Sequence, residues 1–353
     1  MSKKTDIRAL NLDELTLALT KHGEPAFRAK QVYDWLWAKS VVEFDDMSNL
    51  SKSLRDWLKE NYVINAVEIH DLQVSHDKTI KCAMRLNDGY VVESVLIPSG
   101  ERMTACISSQ VGCSLTCKFC ATGKLKRMRN LNADEIYDQV ALVKNLAQEK
   151  YKKPLSNIVY MGMGEPLLNY DEVLKSIEKI TSPKGLGMSA QRITVSTAGV
   201  AKMIKKMGDD SVKFNVALSL HAANDEKRNK IMPINETNSL DCLEEALNYF
   251  YDKTGTRVTF EYIVFKDFND GIKDAQELAA FCKKVKSKVN IIEYNPIDKG
   301  EFQQTTSERL NAFVQHLEKN KIIVNVRRSR GKDIDAACGQ LANKNKLATQ
   351  EFK

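Results

Sequence analysis

From Met103 onward, short apolar runs alternate with amphipathic stretches, and this alternation constrains the fold more than any other feature of the chain. The apolar runs read as strands over Met103–Ser108, Asn157–Met163, Arg192–Ser196, Phe214–His221, Val258–Phe265 and Val289–Asn295, with a last piece over Ile322–Arg328. Between them, helical periodicity marks Asn132–Glu149, Tyr170–Ile180, Val200–Met207, Ser239–Tyr251, Lys273–Val285 and Ser307–Lys319. Near-continuous apolar strands, each followed by a helix, describe a parallel sheet covered by its crossovers. Right-handed crossovers leave a doubly wound sheet or a full or partial barrel. The β/α units are too few for an eight-stranded barrel.

The first ~90 residues follow a different pattern and read as a small α+β module. Asn11 followed by Glu14 resembles a capping box that opens a helix over Leu12–Lys21. Further helical patterns run from Pro25 to about Lys39 and from Leu50 to Glu60. Strands follow over Ala66–Val74, Thr79–Leu86 and Tyr90–Ile97, with Asn87-Asp88-Gly89 as a turn. The expected division is therefore an accessory domain over residues 1–95, a β/α domain over 96–343 and a basic tail over 344–353. The hydrophobic fraction of 43% and charged fraction of 28% suit a soluble globular chain. No apolar run approaches the ~20 residues of a membrane helix. The opening residues lack the apolar core of a signal peptide, so a cytoplasmic protein is expected. The net charge of +7 permits a nucleic-acid partner without establishing one.

In such a compartment the eight cysteines are not expected to form structural disulfides. Isolated Cys82, Cys242 and Cys282 read as small buried hydrophobes. Cys113, Cys117 and Cys120, spaced C-x3-C-x2-C directly after the first β/α strand, read as metal ligands. Three thiolates from one loop ligate three irons of a cubane and leave the fourth open. A structural zinc site needs four closed ligands. Cys106 is the one nearby candidate for the fourth, but no second C-x2-C knuckle exists.

The C-x3-C-x2-C motif with Phe119 before its last cysteine resembles the radical S-adenosylmethionine (SAM) superfamily, whose open iron chelates SAM. Met161-Gly162-Met163-Gly164-Glu165-Pro166 resembles that superfamily's glycine-rich element. Glycines there would let backbone approach a small ligand, and Glu165 would accept from its ammonium. In parallel β/α folds the active site gathers at the carboxyl ends of the strands. Ser196, Ser219-Leu220-His221 and Asn295 occupy such ends. Each alone reads as a turn or cap residue; around one rim they outline a SAM site.

A narrower resemblance spans nearly the whole chain. Cys106 to Cys113, Met161 to Asn169, Ser219-Leu220-His221-Ala222 with Asn224-Asp225, and Arg327 to Leu341 are similar to the RlmN family. That resemblance implies a partial (β/α)6 barrel with an N-terminal accessory domain that helps grip RNA. It implies methylation of adenine carbon 2 in 23S rRNA and tRNA, with a [4Fe–4S] cluster, two SAM molecules per turnover and an electron donor such as flavodoxin. Cys338 would accept a methyl group from one SAM, and a 5′-deoxyadenosyl radical from the second would activate it toward the base. Cys106 would resolve the resulting protein–RNA thioether, leaving a Cys106–Cys338 disulfide for a reductant to open. Glu93 corresponds to the family's proton acceptor, with Cys106 as its rival for the ring proton. The sibling Cfr family methylates carbon 8, and a zinc-stabilised RNA-binding protein without catalysis is the reading from another class.

RNA binding is expected to be electrostatic. Lys124, Lys126, Arg127 and Arg129 follow the cysteine cluster, and Arg327, Arg328, Arg330 and Lys332 precede Cys338. A stacked target base must leave its helix to reach a buried radical.

Overall fold

A computed structural model describes residues 4–343 of the chain. The basic tail over 344–353 lies outside the described residues. Ten strands form one sheet. They are β1 (Glu68–Val74), β2 (Ile80–Arg85), β3 (Val91–Ser99), β4 (Arg102–Cys106) and β5 (Asn157–Tyr160), followed by β6 (Ile193–Thr197), β7 (Asn215–Ser219), β8 (Val258–Val264), β9 (Ser287–Glu293) and β10 (Val324–Arg327). Their spatial order follows the chain without a crossing. β4 to β10 are parallel, and β1 to β4 are joined antiparallel.

The helices are α1 (Leu12–Lys21), α2 (Phe27–Trp37), α3 (Lys52–Asn61), α4 (Ala133–Tyr151), α5 (Tyr170–Thr181), α6 (Ala201–Asp209), α7 (Asp225–Ile231), α8 (Leu240–Thr254), α9 (Ile272–Lys284) and α10 (Ser307–Lys319). Helices α4, α5, α6, α8, α9 and α10 supply the crossovers of a partial (β/α)6 barrel with an N-terminal α+β module. Strands β6 to β8 are buried nearly throughout, as strands covered on both faces must be. The capping box of α1 forms as its sequence implies, Asn11 accepting from the Glu14 amide and Glu14 accepting from the Asn11 amide.

The expected domain boundary at residue 95 falls within β3, through which the sheet hydrogen bonds run uninterrupted. The helical part of the module is fastened to the barrel at α4. Arg8 Nη1 donates to both carboxylate oxygens of Asp138 at 2.8 Å, and Nη2 makes a second ion pair with Asp134 at 3.2 Å. Trp37 meets Tyr137 edge to face, 5.1 Å between centroids. Burial pushes the Asp134 carboxyl up to about 6, a pull that Arg8 opposes. Cys82 and Cys282 are buried as expected, but Cys242 is exposed on α8, where the amphipathic pattern leaves its position facing out.

Helix α7 has no counterpart among the elements expected from the sequence. Its residues, Asp-Glu-Lys-Arg-Asn-Lys-Ile, are short and polar and carry no periodic apolar face.

Candidate active site

A cavity of about 230 Å³ opens at the carboxyl ends of the parallel strands. It is lined by Cys106, Cys113, Cys117, Cys120, Gly164, Glu165, Ser196, Ser219, His221 and Cys338. The sheet order explains this convergence, because parallel strands present their following loops on one rim. Three expected site residues do not line it: Glu93, Leu220 and Asn295.

The cluster loop is held by short-range bonds and packing. The Lys118 amide donates to the Ile231 carbonyl at the end of α7, 3.0 Å away. Phe119 packs edge to face on the His221 ring, 4.6 Å between centroids, and lies 5.8 Å from Phe265. Burial raises the thiols of Cys113, up to about 11, and of Cys117, and each feels the neighbouring cysteines as like charges. Among the described residues no three His, Cys, Asp or Glu side chains converge on one point as a single ion would require. Cys113, Cys117 and Cys120 come from one loop and line one cavity, so they offer three thiolates to a cubane and leave its fourth iron without a protein ligand.

The Met161–Glu165 loop is bound to the segment that follows β4. The Ser109 and Gln110 amides donate to the Met163 carbonyl, and the Glu165 amide donates to Gln110 Oε1 at 2.9 Å. A Cβ on Gly162 would lie 2.7 Å from the Ile107 carbonyl, and one on Gly164, at φ +95°, would lie 2.5 Å from Gln110 Cβ. The glycines here answer to chain-on-chain packing, where the sequence pattern alone has them admit a ligand. Glu165 is buried; its Oε2 accepts from the Ala198 amide at 2.7 Å and its Oε1 from the Leu167 amide at 3.0 Å. Burial raises its carboxyl pKa, while these bonds favour the carboxylate.

Ser196 and Ser219 face each other across β6 and β7, 3.5 Å between hydroxyls. His221, at φ +55°, accepts from the Ile263 amide through Nδ1 at 3.1 Å. Burial, and then the Arg228 cation, lower its pKa to about 3, so the ring is neutral near neutral pH. Leu220 contributes backbone alone, its carbonyl accepting from Arg228 Nε and its side chain lying in the core. Asn295 donates through Nδ2 to the Cys338 carbonyl at 3.2 Å, so it holds the C-terminal segment.

Cys106 is 8% exposed at the end of β4, and Cys338 is open to the same cavity. Both thiols are free. Burial pushes Cys106 up to about 12, with Cys338 nearby as a further raising influence. The surrounding walls, then Glu261, push Cys338 up to about 11. Glu93 is 0% exposed, and one oxygen of its carboxylate is hydrogen-bonded while the other, Oε1, accepts no hydrogen bond. Oε2 accepts from the Ala342 and Asn343 amides at 2.8 and 3.0 Å, and Lys81 Nζ lies 3.4 Å from Oε1. In this arrangement Glu93 clasps the segment after Cys338.

Sequence reasoning missed Glu261 and Arg228. Glu261 lines the cavity from mid-β8, accepts from Asn290 Nδ2 at 2.7 Å and pairs with Arg327 at 3.5 Å. A single acid inside an otherwise uncharged buried strand was the available signal. Several expected RNA contacts are occupied within the protein: Arg129 by Asp88 and Glu135, Lys332 by Glu293, Lys124 by the Asp298 and Lys299 carbonyls. Arg328 and Arg330 are exposed at the cavity wall, and Lys126 and Arg127 are exposed beyond the cysteine loop.

A barrel that gathers three loop cysteines and a glycine-flanked glutamate on one rim is the architecture of a radical-SAM enzyme. Residues 107–281 match the family model described as "Radical SAM superfamily", and residues 5–64 match "Ribosomal RNA large subunit methyltransferase N-terminal domain". The chain is 60% identical over 342 residues to a probable dual-specificity RNA methyltransferase RlmN of Christiangramia forsetii, covering 97% of each chain. A counterpart in Cytophaga hutchinsonii is also 60% identical, over 97% of this chain and 94% of that one. A crystal structure of a radical SAM methyltransferase from Sphaerobacter thermophilus superposes with a TM-score of 0.90 at 37% identity, covering 96% of this chain and 99% of that one. The chain belongs to the RlmN family of radical-SAM RNA methyltransferases. That family's cofactors are a [4Fe–4S] cluster and SAM, and its membership displaces the non-catalytic zinc reading.

Proposed function

We propose that this enzyme methylates carbon 2 of adenine in 23S rRNA and tRNA, with Cys338 as methyl carrier and Cys106 as resolving thiol. The observation that carries the reading is the opening of Cys106 and Cys338 into the cavity that the three loop cysteines share. Carbon 2 is electrophilic, so direct displacement on SAM does not methylate it, and a thiol-borne carbon is needed instead. Cys113, Cys117 and Cys120 would hold the cluster; Glu165, Ser196, Ser219 and His221 would surround SAM. When bound, the cluster and two SAM molecules per turnover supply a methyl group and a 5′-deoxyadenosyl radical.

The protein's own part is to place two thiols on either side of one carbon. Cys338 bears the carbon that bonds to the adenine ring, which gives a thioether between protein and RNA. After the adduct loses its carbon-2 proton and one electron, the latter to the one-electron redox system that serves the radical step, Cys106 sulfur attacks Cys338 sulfur. The S–C bond breaks toward the carbon, which takes a proton, and methyladenine leaves. The two cysteines are then oxidised to a disulfide, and a reductant restores them. Both thiols have raised pKa values, so each remains protonated near neutral pH until the reaction calls on it. Glu93 would take the ring proton, with Cys106 as its rival; Oε2 of Glu93 holds the Ala342 and Asn343 amides, while its Oε1 accepts no hydrogen bond.

Arg328 and Arg330 at the mouth would meet phosphates. The proposed electron donor is a one-electron carrier such as flavodoxin, and the proposed location is the cytoplasm. The test is mass spectrometry of 23S rRNA and tRNA after incubation with anaerobically reconstituted enzyme, SAM and reductant. Methyl at adenine carbon 2 in both is the expected result. Methyl at carbon 8, or on neither RNA, overturns the reading.

A further inference from the structure

Arg228 lies on α7 and is the largest fully buried side chain among the described residues, 0% exposed. A buried guanidinium ordinarily comes with a carboxylate, because an uncompensated interior charge is costly. Arg228 has none bound to it in this way. Nε donates to the Leu220 carbonyl at 3.1 Å. Nη2 donates to the Ala198 and Ser219 carbonyls at 2.7 and 3.2 Å, and Nη1 donates to Asn235 Oδ1 at 2.5 Å. All four acceptors are neutral. The nearest acid, Asp225, is reached one step out, where it accepts from Asn235 Nδ2 at 2.7 Å.

The four bonds have a pattern. Ala198 follows β6, and its amide holds Glu165; Ser219 and Leu220 close β7 beside His221. One guanidinium thus pins the strand ends that carry the rim. The same short helix receives the cluster loop, since the Lys118 amide donates to Ile231, three residues after Arg228. The cation is therefore seated behind the cysteine loop, shielded from water, with no carboxylate bonded to it and Asp225 acting only from one residue further out. A cluster held by three thiolates is anionic, and it becomes more so on reduction.

We propose that Arg228 is a positioning residue that also acts electrostatically, gathering the β6 and β7 ends and supplying the fixed countercharge that makes cluster reduction more favourable. This rests on the cluster reading of Cys113, Cys117 and Cys120. At His221, burial first and then Arg228 disfavour the imidazolium, the direction a nearby cation gives. Low local dielectric keeps such a charge effective, where a surface lysine would be screened.

The test is the midpoint potential of the reconstituted cluster, read by electron paramagnetic resonance during anaerobic titration, without any turnover. In Arg228→Met the equilibrium constant for reduction falls at least about tenfold, 59 mV for a one-electron couple. Arg228→Lys keeps the charge but loses the fork, so it retains most of the potential while SAM binding, measured by calorimetry, weakens. Asp225→Asn removes the nearest negative charge while leaving an oxygen for Asn235, and shifts the potential the opposite way, upward. A purely structural arginine predicts no such pair of opposite shifts. An unchanged potential in cluster-loaded Arg228→Met overturns the proposal. If that variant does not fold, Asp225→Asn decides: an upward shift supports it and no shift overturns it. A wild-type protein that binds no iron and sulfide removes the cluster reading first, and this inference with it.

Discussion

Two cysteine-bearing segments meet in one cavity, and they are secured by different kinds of bond. The loop from Cys113 to Cys120 is fixed by backbone bonds and aromatic packing: Lys118 to Ile231, Cys120 to Cys117, Phe119 on His221. The segment around Cys338 shares one backbone bond with that loop, from the Ala121 amide to the Gly339 carbonyl at 2.7 Å, and is otherwise held mostly by bonds that each involve a single side chain. Asn295 donates to the Cys338 carbonyl, Gln340 Nε2 donates to the Pro296 carbonyl at 2.9 Å, Thr122 Oγ1 donates to the Leu341 carbonyl at 2.6 Å, and Glu93 accepts from Ala342 and Asn343. Thiols that ligate a cofactor are best held in one geometry. A thiol that must first take a methyl group and then meet RNA needs a segment whose bonds release individually, each worth about 1 kcal/mol.

The contrast breaks most sharply at the thiols themselves. Cys338→Ala should abolish turnover and carry no S-methylcysteine by peptide mass spectrometry, while its iron content stays at the wild-type level. Continued RNA methylation by this variant would end the carrier role. Cys106→Ala should stop within the first turnover with protein and RNA covalently joined, visible as a shifted band on a denaturing gel. The absence of any adduct would leave Cys106 without its resolving role.

The fixed side of the comparison can be probed by pH. The folded-state pKa of His221 is depressed, to about 3 from an ordinary 6.5. Its contribution to stability is therefore complete above about 6.5 and is lost as pH falls toward 3, on the order of 5 kcal/mol in all. Denaturant unfolding at pH 7 and pH 4 should show a loss that shrinks in His221→Asn, a substitution the left-handed backbone accepts. An equal loss in both proteins would exclude His221 as its source.

The releasable side has one strong member. Glu93→Ala leaves Lys81, itself buried, without its partner and should cost ~3–5 kcal/mol in urea unfolding. Adding Lys81→Met should recover most of that loss while proteolysis near Asn343 stays accelerated. Slow proteolysis in the double variant would show that the clasp does not depend on Glu93. Asn295→Ala removes one bond to the Cys338 carbonyl. About 1 kcal/mol predicts roughly fivefold faster alkylation of Cys338, and an unchanged rate would mean that Asn295 does not restrain it.

Much of this molecule is legible along the chain. The alternation after Met103 yields the strands and crossover helices to within a few residues, because burial on both faces makes parallel strands apolar and their helices amphipathic. The cysteine spacing in the loop is likewise local, set by the donor geometry of a single short segment. Helix α7 escapes such a reading since its role lies in what it anchors; its polar residues bury no stripe of their own.

The order of elements, the cysteine loop and the glutamate after the second parallel strand follow from local composition and period. Which of the rim residues face the cavity does not. Folding brings Cys106 and Cys338 to one space from distant parts of the chain, turns Glu93 onto the tail backbone, sets Asn295 under Cys338 and buries Arg228 beneath the strand ends. These are choices among partners made by long-range side-chain to backbone bonds, and a buried polar group takes whichever partner the packed interior offers.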